Sequence, residues 1–138
     1  MRGTKTGAAL AALSLILAGG PARACEAPAH LKYNEAVALD GVLKSGTGRH
    51  EVHGDFAYVY LALDQAICVD APEGGGDEDF GNTGTDKPVD RIQIAGDAVE
   101  RGLPLGKAVK VEGTLFGAHT MWHAEEVLID ASAVEPAK

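Results

Sequence analysis

Two sets of residues in this chain could do chemistry. The first is His119 and His123, followed by Glu125 and Glu126. Imidazole nitrogens and carboxylate oxygens are donors that borderline metals favour, so His119, His123 and Glu125 form a candidate site for zinc or another divalent ion. Residues four apart share one side of a helix, but in an extended chain they lie ~13 Å apart. A loop must therefore fold back before the two rings can meet. The competing reading gives His119 and Thr120 to a β-turn or to local backbone hydrogen bonds. The second set is aromatic. Phe56, Tyr58 and Tyr60 alternate with Ala57, Val59 and Leu61, which in a strand puts rings on one face and aliphatic side chains on the other. With the aliphatic face in the core, the rings form an outward stripe, and Tyr58, Tyr60 and Trp122 become ligand-binding candidates. Such rings with a polar handle stack on sugars or cap a peptide. The alternative is that the N-terminal segment covers the stripe.

Other candidates are weaker. His50 and His53 flank Glu51 and are expected to be solvated in a polar loop. Asp77-x-Asp79 begins like a calcium loop, but Gly81, Asn82 and Pro88 stand where a hand-type site needs Asx, Gly and Glu. The Pro72 to Pro88 stretch therefore reads as a mobile, solvated loop. Beyond residue 24 the serines are Ser45 and Ser132, neither in a nucleophile elbow, and no phosphate-cradling loop or His-Glu-x-x-His motif is present. The expected function is a non-catalytic binding module. Its alternatives are a metal-binding protein using His119 and His123 and, less favoured, a metal-dependent hydrolase at the same place.

The elements that must position these residues are strands. Val37, Leu39, Gly41 and Leu43 alternate with polar residues, with a glycine where the strand must bend. The runs Phe56–Leu63 and Ala66–Val69, joined at Asp64-Gln65, read as a hairpin. Further strands are expected over Val89–Ala95, Lys107–Phe116 and about Glu126–Ala133. A helix of barely one turn has Asp97 as N-cap, Glu100 as its capping partner and Gly102 as its stop. The expected fold is all-β, a small Greek-key OB-like barrel of five or six strands with one short helix; a plain β-sandwich is the alternative.

Length and charge narrow the setting. The 138 residues are 46% hydrophobic, as in one ordinary globular domain. A cationic start, an apolar run from Ala8 to Ala18 and Ala22-Arg23-Ala24 read as an export signal over residues 1–24, leaving a single OB-like domain over 25–138 in the periplasm or outside the cell. The apolar run is too short to span a membrane. Export into an oxidising compartment makes Cys25 and Cys68 a disulfide pair. Lipidation of Cys25 is disfavoured by Arg23 two residues before it, and a catalytic role for the Cys68 thiol is the minor alternative. Residues 25–138 hold nine Lys and Arg against 20 Asp and Glu, a net of −11. Nucleic acid is therefore not an expected partner, because its binders gain affinity from clustered cations. A small molecule, a sugar or a peptide or protein is.

Cys25, Tyr33, the strand from Val37 to Leu43, Tyr58 to Leu63, Ile67-Cys68-Val69, Arg91-Ile92-Gln93-Ile94, Gly106-Lys107, the Val-x-Val-x-Gly-Thr-Leu-Phe strand and Ala118-His119-Thr120 together resemble the bacterial secreted family known as domain of unknown function 4431. The resemblance covers nearly all of residues 25–138. It implies secretion and a disulfide-containing β domain, and no known activity. Where members continue with a histidine-rich stretch after His-Thr, this chain has Met121-Trp122-His123-Ala124-Glu125, keeping His119 and His123 only.

Overall fold

The computed structural model describes Gly3 and residues 24–138, so the export signal expected over 1–24 lies, apart from Gly3 and Ala24, outside the described residues. The strands are β1 (Ala29–Lys32), β2 (Ala36–His50), β3 (Gly54–Asp70), β4 (Val89–Ala95), β5 (Ala108–Gly117) and β6 (Val127–Pro136), with a 3-10 turn η1 (Glu78–Phe80) and one short helix α1 (Asp97–Glu100). β2 pairs with β3 and β5, β5 with β6, β6 with β4, and β4 with β3. That closes a five-stranded barrel in which only β4 and β6 run parallel, the Greek-key order of an OB barrel. β1 is an extra strand, parallel to the Ile67–Asp70 end of β3; its short polar-apolar alternation hid it in the sequence.

Alternation explains the interior. Leu39, Leu43, Leu61, Ile92, Val109, Val111, Leu115, Val127 and Ile129 point inward and form one buried cluster, as the period of two requires. Gly41 is where β2 coils around that cluster: a Cβ there would strike the backbone of Ala62 on β3. Tyr33 in this cluster is 1% exposed, and its hydroxyl finds no partner among the described residues. Burial pushes its pKa up to about 12.

Three expectations need correction. Asp64-Gln65 is not a hairpin turn. β3 runs straight through it, with a register slip against β4 between Ala62 and Ile67. The pair lacks the Asn or Gly that a two-residue turn needs, and a bulge bends the long strand around the barrel instead. The real hairpin joins β2 to β3 through 51–53. Second, Asp97 is the first residue of α1 and not its cap. Gly96 precedes it with φ 90° and no side chain caps the helix, although Gly102 does close it, its N–H donating to Val99 O at 3.3 Å. Third, the 71–88 segment is mostly exposed, as expected, but Asn82 and Thr85 fix its later half. Asn82 is buried and its Oδ1 accepts from Asp77 N at 2.5 Å; Thr85 Oγ1 accepts from Val69 N at 3.0 Å. Cys25 and Cys68 form the expected disulfide, with an S–S distance of 2.01 Å, and the Thr85 hydroxyl donates to Cys25 Sγ at 3.7 Å.

Candidate binding face

Beyond the barrel, β2 from Lys44 and β3 up to Val59 pair only with each other, as a two-stranded ribbon. One face of this ribbon carries Phe56 and Tyr58. Their cross-strand partners are Gly48 and Gly46, and both rings lie down over those glycines: a Cβ on Gly46 would come within 2.6 Å of the Tyr58 ring, and one on Gly48 would strike Phe56. The rings thus form a floor and not a row of upright pegs, the packing by which an aromatic rescues a strand glycine.

The β5–β6 loop, 118–126, folds over that floor. Trp122 meets Phe56 edge-on at 5.0 Å and stacks on His50 at 4.4 Å and on His53 at 5.5 Å. It remains 46% exposed. His50, in contrast, is 8% exposed, so the expectation of two solvated histidines fails for it: the indole covers the ring, and His50 Nδ1 accepts from Val52 N at 3.1 Å and His53 N at 3.2 Å. His53 itself is exposed.

Gln93 holds the loop in place, and nothing in the alternating pattern of β4 singled it out. It is 7% exposed. Its Nε2 donates to Trp122 O at 3.1 Å, and its Oε1 accepts from Ala124 N at 2.7 Å and Glu125 N at 3.2 Å. A single amide therefore fixes the height and tilt of the segment that presents the indole. Next to it, Arg91 lies over the Tyr60 ring, 4.3 Å from its centroid, and pairs with Glu125 at 3.5 Å. Tyr60 is 7% exposed beneath that guanidinium. The Tyr58 hydroxyl donates to Glu125 Oε1 at 2.5 Å; burial first, and that bond second, raise the Tyr58 pKa. The stripe is thus roofed by Arg91 and the Trp122 loop, not by the N-terminal segment, which pairs with the far end of β3.

The two candidate imidazoles do meet. The loop folds back so that the His119 and His123 rings lie 4.7 Å apart, against Phe116 at 5.8 and 5.6 Å, with Phe80 of η1 beside His119. Their nitrogens already have work. His123 Nδ1 accepts from His119 N at 3.0 Å and Thr120 N at 3.2 Å, so the neutral ring keeps its proton on Nε2 and offers no lone pair there. His119 Nδ1 donates to the Gly117 carbonyl at 2.8 Å. Burial, then His119, lower the His123 pKa. Glu125 faces Tyr58 and Arg91 and does not join the pair. Among the described residues no three His, Cys, Asp or Glu side chains gather to hold a metal, so a shared ion does not fit this arrangement.

In an OB barrel the second and third barrel strands and the two loops beside them commonly form the binding face. Here those parts are β3, β4, the 51–53 turn and the β5–β6 loop, the same four that bring Tyr58, Arg91, His53 and Trp122 together. No curated protein and no solved structure matches the chain. The stretch that supplies Arg91, Gln93, Trp122 and both loop histidines, residues 91–135, matches the family model "Domain of unknown function (DUF4431)", the family that the sequence resembles.

Proposed function

We propose that this chain is an exported, non-catalytic binding module that holds a sugar or a peptide against Trp122 on the outer face of β3, β4 and their flanking loops. The observation that carries the reading is the seating of Trp122. An indole 46% exposed is held from below by two imidazoles and Phe56 and from behind by Gln93. A large ring fixed in place loses little entropy when a ligand stacks on it. Tyr60 carries Arg91 beside this platform, and Tyr58 and Glu125, bonded to each other, form the polar edge of the face. The cationic component of the face is already engaged, Arg91 by Glu125 and Tyr60, and with the net of −11 that argues against a phosphate backbone as ligand. The disulfide fits an oxidising compartment, and no helix among the described residues is long and apolar enough to cross a membrane.

The test uses the one tryptophan in the chain. Neutral oligosaccharides and short peptides are titrated while its emission is followed, beside calorimetry on wild type and Trp122→Ala. Binding by one class, lost in Trp122→Ala without loss of fold, supports the reading. Binding that survives in Trp122→Ala refutes it, as does the absence of binding by both classes.

A further inference from the structure

The turn beneath the indole is built on an imidazole acceptor. His50 Nδ1 receives the N–H of Val52 at 3.1 Å and of His53 at 3.2 Å, the service that an Asx side chain performs in many turns. Both donors are backbone groups, so the ring can serve them only while Nδ1 is bare. Protonation would point an N–H at two N–H groups, and both bonds would fail together. It would also leave a cation in a ring that is 8% exposed. Stacking on the indole at 4.4 Å does not replace the two hydrogen bonds that the turn would lose. The titratable and charged groups around His50 do not supply a compensating anion. His53, 4.7 Å away, would repel a second cation. Glu51 is exposed in the same turn, and Arg49 and Asp55 pair with each other across the ribbon at 3.7 Å, both exposed. From the β5–β6 loop the facing group is Trp122, which is uncharged.

We propose that His50 is a pH-sensitive latch on the binding face: neutral, it closes the β2–β3 turn and seats Trp122; protonated, it opens the turn and unseats the indole. The platform then exists while the ring is neutral and is dismantled when Nδ1 takes up a proton. As regulation this rests on the reading of Trp122 as the ligand platform, but the latch is measurable with no ligand.

The experiment follows Trp122 emission from pH 8 to pH 5, with amide exchange at Val52 and His53 by NMR, corrected for the intrinsic pH dependence. Wild type, His50→Asn and His53→Asn are compared. An asparagine at position 50 can accept the same two N–H groups and does not titrate. The expected result is a red shift of emission with acidification and a loss of protection at the two amides of about tenfold in wild type and His53→Asn, and neither change in His50→Asn. An unchanged wild type overturns the latch, and so does an undiminished transition in His50→Asn. Should His50→Asn not fold, the wild type decides: the His50 ring nitrogen shifts and the Val52 and His53 amides must share one midpoint, and separate midpoints overturn it. If the latch titrates yet Trp122→Ala keeps sugar or peptide binding, the functional reading fails and the latch stands; the reverse pattern removes the latch alone.

Discussion

Gln93 and His50 are the residues on which the face depends, and both read as ordinary in the sequence. Gln93 reads as an outward strand position and His50 as part of a polar loop, and both places are assigned to solvent. Gln93 is buried by a loop about thirty residues further along the chain, and His50 by the same loop's tryptophan; local periodicity has no access to either partner. Gln93→Leu keeps the volume and leaves three loop groups without their bonds. It should cost about 1–3 kcal/mol in urea unfolding and shift the Trp122 emission to the red; an unshifted emission would show that the loop holds itself. His123 gives a pH signature. Its folded-state pKa is lowered, by burial first and His119 second, so the unfolded chain binds the proton more readily. The stability this ring contributes is present above the unfolded value near 6.5 and is lost as pH falls through the lowered folded value. His123→Asn should therefore flatten the acid side of a melting-temperature profile between pH 7 and pH 4. A profile parallel to wild type would contradict the assignment.

Among the elements, the strands with strict alternation were legible: the inward set of β2, β4 and β5, with Val89–Ala95 read to the residue. Three features were not. β1 is too short to show a period. The Asp64-Gln65 bulge imitates a turn by its polarity. The ribbon of β2 and β3 is held by glycines, which carry no hydrophobic signal until the aromatics opposite them are known. The aromatic stripe was legible as a stripe. That it lies flat, with Tyr60 under Arg91, depends on β4 pairing with β3 and could not be read locally. Gly48→Val inserts a branched side chain where the Phe56 ring rests, so it should lift the ring from the ribbon. The expected cost is about 1–3 kcal/mol in a thermal or urea melt, with loss of near-ultraviolet dichroism; a variant as stable as wild type with unchanged dichroism would mean that Phe56 does not pack there.

At the scale of the whole molecule, the two ends of β3 carry different features, the staple and the candidate binding face. The disulfide joins Cys25 to Cys68, 43 residues apart in sequence, beside β1 at one end of β3; Trp122 and the 51–53 turn lie at the other. The chain-entropy account gives about 4 kcal/mol for a loop of this length. Reduction should lower the melting temperature while leaving the Trp122 emission of the folded protein unchanged, and a change in emission on reduction would show that the two ends are coupled. The pairing was legible from an even cysteine count and from the export signal expected over residues 1–24. The candidate binding face was legible only in part, because its floor and its roof come from segments far apart in the chain.

The central claim, that Trp122 is a binding platform and not packing, is tested most directly by comparing Trp122→Ala with Tyr60→Ala. Unfolding free energies are measured for both, beside calorimetry with the oligosaccharide or peptide class that wild type binds. The account predicts that Trp122→Ala loses binding and less than about 1 kcal/mol of stability, whereas Tyr60→Ala loses about 3 kcal/mol or more through the cavity left under Arg91. A Trp122→Ala protein that binds as wild type does, or that unfolds as readily as Tyr60→Ala, would contradict it.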